Sequence, residues 1–162
     1  MSLAVPVACF DASALVKLYV DEPGADAVRK YWSIPGTRYT TPFCLYETLG
    51  ILKRLKVTGK LEMDEYLHKA TSLVHWFRAS QSQLKDSDFT DPRVFSRARD
   101  IAVQFDLDLS DAFQLLSLEE GYFSVLKGES APRLVTADEG LANAARALGM
   151  SVWDCKREPM PQ

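Results

Sequence analysis

Short runs of β-branched and apolar residues alternate with longer stretches of helical periodicity along the whole chain. This alternation limits the possible fold more than any other feature. The first run, residues 4–10, stops at Asp11 and reads as a buried strand, with Pro6 early enough to be tolerated at a strand start. Further short strands are expected at 38–41, 133–136 and 151–153, and helical spacing covers 12–20, 25–32, 43–57, 63–79, 92–105, 108–122 and 138–148. Pro42 and Pro92 suit first helical turns, and Gly59 and Gly149 suit helix stops. The polar stretch 80–90 reads as loop, with room for a short strand around Leu84. Strands that are apolar on both faces and separated by helices imply a parallel α/β sheet covered on both sides. There is no internal repeat, low-complexity tract or linker, so the expectation is one domain over residues 1–155 and a mobile C-terminal tail over 156–162.

Composition narrows the function. The 162 residues carry a net charge of −3, so the chain is no polycation, and any grip on nucleic acid must come from a local basic patch or a metal. Three cysteines, Cys9, Cys44 and Cys155, with no C-x-x-C pair, indicate neither a disulfide framework nor a zinc site. Reduced thiols in a cytoplasmic setting are expected. No basic n-region precedes the first apolar run, and no uncharged apolar stretch reaches the ~18 residues of a membrane span. Neither secretion nor membrane insertion is therefore expected. No glycine-rich phosphate loop occurs.

In an open parallel sheet, ligands bind beyond the carboxyl ends of the strands. Asp11 follows the first strand and Asp138 follows Leu134-Val135-Thr136, so two strand ends deliver an acid to one sheet edge. Glu47 shares a helical stripe with Phe43 and Ile51, beside Gly50, and should point partly inward. Asp111 occupies the first turn of the helix that begins near Asp108, just before an apolar run. Each acid also has an ordinary structural reading. Asp11 and Asp138 are good N-caps, Asp108 and Asp111 suit a helix dipole, and Glu47 could pair with Lys53 or Arg54. Four acids converging on one edge would instead suit a hard divalent cation, which prefers carboxylate oxygen and offsets the repulsion among clustered carboxylates.

The segments FDASALVKLYVDEPGAD (10–26), TTPFCLYETLGILKR (40–54), LDLSDAFQLLSL (107–118) and LVTADEGLANAARALGMSVWD (134–154), in that order, resemble the PIN-domain ribonucleases, especially VapC-type toxins of toxin–antitoxin pairs. The resemblance implies a three-layer α/β/α fold and a magnesium- or manganese-dependent endoribonuclease. It assigns Asp11, Glu47, Asp111 and Asp138 as catalytic and metal-binding residues. It implies that Ser13 and Thr136 orient carboxylates or water, and that Asp154 is an additional supporting acid. It also implies an RNA substrate, a homodimer and a protein antitoxin. The stretch 121–132 is longer than in the most compact members.

Lys17, one turn beyond Ser13, is a candidate substrate contact. The cluster Lys53, Arg54, Lys56 and Lys60 reads as a phosphate-contacting rim or a solvated helix face. His68 and His75 lack a third ligand at metal spacing, and Trp32, Trp76 and Trp153 suit packing better than base stacking because no basic residues interleave with them. Asp-phosphatase chemistry is disfavoured because Ser13 stands where a second aspartate is usual. The rival readings are a non-catalytic RNA- or protein-binding module and a DNA nuclease.

Overall fold

The computed structural model describes residues 5–81 and 87–162, so the strand considered around Leu84 lies outside the described residues. In chain order the elements are β1 (Val7–Phe10), α1 (Ala12–Leu15), a 3-10 turn (Val16–Leu18), α2 (Ala25–Ser33), β2 (Thr37–Tyr39), α3 (Pro42–Val57), α4 (Met63–Gln81), α5 (Pro92–Phe105), α6 (Leu109–Glu120), a 3-10 turn (Gly128–Ser130), β3 (Arg133–Thr136), α7 (Glu139–Ala147) and β4 (Ser151–Asp154). The expected helix over 12–20 is therefore short. It tightens to 3-10 bonding after Leu15, with the Tyr19 amide donating to the Val16 carbonyl.

The four strands lie in the order β2-β1-β3-β4 and every pairing is parallel, with Cys9 opposite both Tyr39 and Leu134, and Val135 opposite Trp153. The chain passes from β1 to β2 on one side, then crosses through α3–α6 to β3 on the other. Strand order thus reverses between β1 and β3, which opens a crevice at their carboxyl ends.

Side chains alternate across the sheet with period two. Val7, Cys9 and Leu134 face α5, α6 and α7, where Leu115, Leu116, Leu141 and Ala145 complete one core. Ala8, Phe10, Val135 and Trp153 face α1 and α2, with Leu15, Val28 and Tyr31, in the other. The architecture is the expected three-layer α/β/α sandwich. α3 straddles the edge of the sheet, sending Phe43 to the first core and Cys44 to the second.

Residues beyond β4, expected to form a tail, fold back on the sheet. Asp154 accepts from the Lys156 and Arg157 amides at 3.1 and 3.2 Å, Trp153 Nε1 donates to the Glu158 carbonyl at 3.3 Å, and Met160 packs on the second core. The Glu158 carboxylate pairs with Arg146 on α7.

Candidate active site

The crevice between β1 and β3 is where the expected acids meet. Asp11 leaves β1 as the N-cap of α1 and is buried. Its Oδ2 accepts from the Ser13 amide at 3.2 Å, from Ser13 Oγ, and from Thr136 Oγ1 at 3.0 Å. Each of those hydroxyls also accepts a backbone amide from the loop after β3. Ser13 Oγ takes Ala137 N at 2.8 Å and Thr136 Oγ1 takes Asp138 N at 3.0 Å. Two small hydroxyls thereby tie the Asp11 carboxylate to the segment that carries Asp138.

Sequence reasoning passed over the group behind Asp11. Gln114, fully buried on α6, has its amide oriented by the hydrogen bonds available to it. Nε2 donates to Asp11 Oδ1 at 3.1 Å and Oε1 accepts the Asp11 amide at 3.2 Å. A lone glutamine in the apolar run DAFQLLSL, one turn after Asp111, was the available signal. Cys44 Sγ lies 3.8 Å from Asp11 Oδ1, and burial followed by the Asp11 charge pushes its thiol well above the ordinary range.

The remaining acids surround this buried one at the surface. Asp138 caps α7 by accepting the Leu141 amide at 2.9 Å and is exposed. Asp108 caps α6, accepting the Asp111 amide at 2.9 Å and Ser110 Oγ at 2.8 Å. Asp111 is half-buried in the first turn of α6. Glu47, expected to point partly inward, stands at the exposed mouth of the crevice. The ordinary capping role is thus real for Asp11 and Asp138, and it coexists with convergence.

Electrostatics record that convergence. Burial pushes the Asp111 carboxyl up to about 7, assisted by the charges of Asp11, Asp108, Asp138 and Glu47. Glu47 is raised by desolvation first and then by Asp11, Asp108 and Asp138, with Arg54 opposing. Asp11 is raised by burial against the lowering effect of its Ser13 and Thr136 hydrogen bonds. Asp108 thereby joins the four predicted acids as a fifth charge, a membership its reading as a cap did not reveal.

Among the described residues, no three carboxyl, imidazole or thiol groups already form a closed ligand set. Glu47 and Asp111 each feel the charges of neighbouring acids. The donor chemistry still suits a hard divalent cation, because the converging groups are all carboxylates. A cation would also offset the repulsion that adds to burial in raising Asp111.

Asp154 and Lys17 sit elsewhere. The buried Asp154 carboxylate is committed to the turn amides and to Arg157 Nη1 at 3.0 Å. Arg157 also reaches Glu139 at 3.4 Å and feels the charge of Asp138, so it links Asp154 to the edge of the cluster. Arg157 lies in the segment read as a tail, where no periodicity marked it. Lys17, expected to reach substrate, is buried, and its ammonium donates to Glu22 at 2.6 Å and to the Pro23 carbonyl at 2.8 Å. It braces the turn before α2 instead of offering charge to solvent. His68 and His75 are exposed along α4 and share a shallow surface depression with Leu67, Thr71 and Ser72, with no acid among its described lining residues.

Three comparisons bear on this arrangement. The PIN domain family matches residues 8–147. Ribonuclease VapC46 of Mycobacterium tuberculosis (strain ATCC 25618 / H37Rv) is 30% identical over 145 residues, which span 88% of this chain and 92% of that protein. The crystal structure of PAE2754 from Pyrobaculum aerophilum superposes with a TM-score of 0.59 at 19% identity, covering 91% of each chain, and this likeness shows the fold.

Proposed function

This chain belongs to the PIN domain family, and from that premise we propose that it is a metal-dependent endoribonuclease acting as the toxin of a toxin–antitoxin pair. What supports the reading is that Asp11 and Asp138 follow neighbouring strands and are tied together through Ser13 and Thr136, with Glu47 and Asp111 near enough to feel the charges of both.

Asp11, Glu47, Asp111 and Asp138 are the residues that would hold magnesium or manganese. Such an ion, when bound, supplies Lewis-acid polarisation of a phosphodiester and makes water nucleophilic near neutral pH. Ser13 and Thr136 hold Asp11 Oδ2 in one orientation, and Gln114 holds Oδ1, so the central carboxylate is fixed before substrate arrives. Arg54, beside Glu47, and Arg157, beside Asp138, are the cations whose charges reach these acids, and they suit the flanking phosphates of an RNA strand.

The same reading carries a homodimer, a protein antitoxin and a cytoplasmic location. Cys9, Cys44 and Cys155 are free and buried, which suits a reducing compartment. No helix of the described residues is long and apolar enough to cross a membrane.

The test is cleavage of a mixed RNA pool by purified protein with manganese, with magnesium and with excess chelator, beside Asp11→Asn. Expected is metal-dependent cleavage that falls by more than about 100-fold in the variant while its circular dichroism is unchanged. Equal cleavage by the variant removes the metal-site assignment. Absence of both cleavage and calorimetric metal binding moves the reading to a binding module. A DNA oligonucleotide of matching sequence should survive, and its preferential cleavage would make the enzyme a DNA nuclease.

A further inference from the structure

Beside the acidic crevice lies a cavity of about 230 Å³ with no charged group among its described lining residues. Its walls include Phe43, Tyr46, Phe89 and Phe113, with the hydroxyl-bearing Thr41 and Ser117. Both helices that frame it also carry acids of the cluster. Phe43 precedes Glu47 by one turn on the same face of α3, which puts the two side chains about 5–6 Å apart at their Cβ atoms. Phe113 follows Asp111 by two residues on α6.

Three of the four rings satisfy one another. Phe43 stacks on Phe113 with centroids 5.4 Å apart and planes at 15°, and Phe89 meets their rings edge-on at 5.1 and 5.3 Å. Phe43 and Phe113 also belong to the core, so packing explains them. Tyr46 is different. It is 71% exposed, forms no ring pair among the described residues, and adjoins Glu47 in sequence. Phe89, at the opposite wall, is 46% exposed. Among the described residues, no packing contact accounts for an open tyrosine ring at the rim of an aromatic pocket.

We propose that this pocket is a subsite for one unpaired base of an RNA strand, with Tyr46 as its stacking platform. The inference rests on the nuclease reading and names the form of the substrate: single-stranded RNA with a base turned out beside the cleaved phosphate. Three observations favour a base over a partner protein. The cavity, about 230 Å³, has room for a single planar group. Its aromatic walls suit the π-face that every base presents, while its hydroxyls can meet a base edge. Its wall residue Phe43 lies one helical turn from Glu47, so a nucleotide beside a phosphate held at the acids is within reach of it.

The test uses unstructured RNA oligonucleotides, each carrying 2-aminopurine at one position, and a matched duplex. Asp11→Asn protein provides binding without cleavage. Expected is quenching of 2-aminopurine at one position of the single strand, with tighter binding than to the duplex. Tyr46→Ala added to Asp11→Asn should weaken single-strand binding about 5- to 100-fold and abolish the quench, and Tyr46→Phe should retain both. Since Tyr46 is exposed, its removal should leave the melting temperature unchanged. Unchanged binding and quenching in Tyr46→Ala, or no binding of the RNAs at all, overturns the subsite. So does conversion of a dimer to monomers by Tyr46→Ala in light scattering, which would make the pocket an interface between copies. Cleavage by the wild type is scored separately. Metal-dependent cleavage with an indifferent Tyr46→Ala sinks the subsite alone, and a Tyr46-dependent quench without cleavage sinks the nuclease reading alone.

Discussion

Thr136 does two jobs with one oxygen. Its hydroxyl donates to Asp11 and accepts the amide of Asp138, and the residue is completely buried. Thr136→Val keeps the shape and removes the hydroxyl, leaving a backbone N–H and a carboxylate oxygen short of a partner. The expected cost is about 1–3 kcal/mol in urea denaturation, together with reduced cleavage. Thr136→Ser should restore most of both, because it returns the oxygen. A value near zero would mean that water replaces the hydroxyl and that its role is dispensable. Periodicity shows Thr136 only as the last residue of a strand, and its orienting role was implied by the family resemblance alone. That its oxygen reaches a residue 125 positions away is a property of the strand pairing.

At the level of elements, the helix ends were readable because their chemistry is local. Pro42 and Pro92 occupy first helical turns and Asp108 caps its helix, as expected, and Thr41 and Asp91 cap the helices that those prolines open. The junction before α2 was not readable in full. Gly24 has φ +88°, and a Cβ there would stand 2.3 Å from the Cys155 carbonyl oxygen. The turn is visible in the sequence, but the approach of Cys155 comes from the opposite end of the chain. Gly24→Ala should destabilise by about 2 kcal/mol or more, through both backbone strain and displacement of the chain after β4. Gly59→Ala serves as the comparison. Its φ is +74° with open space around it, so it should show the strain alone, about 1 kcal/mol in thermal or urea melts. Equal effects at the two positions would show that the Cys155 contact carries no weight.

Across the whole molecule, the acid cluster ties stability to pH. The Asp111 carboxyl is held at about 7 against an unfolded value of 3.8, and Asp11 and Glu47 are shifted in the same direction. The folded state therefore binds protons more tightly than the unfolded chain does. Stability of the metal-free protein should fall as pH rises from about 4 through about 7. Asp111→Asn should flatten that slope and raise the melting temperature at pH 7.5. Manganese should raise the melting temperature of the wild type more at pH 7.5 than at pH 5. A metal-free protein whose stability rises steadily across that window would show that burial and mutual repulsion do not raise these carboxyls as placed. The fold class was written in the alternation of strand and helix, because hydrophobic periodicity is a property of neighbouring residues. Asp11 and Asp138 were legible for a related reason: each follows a strand, and in a parallel sheet all strands end at one edge. What the tertiary structure alone decided is which groups surround those acids. Gln114 lies 103 positions from Asp11, and Arg157 approaches Asp138 from a segment with no periodic signal. Lys17, positioned well by spacing, was taken by Glu22 and Pro23 instead. Periodicity reports which face a side chain occupies, but its partners depend on how distant segments meet, and that is settled only when the sheet closes.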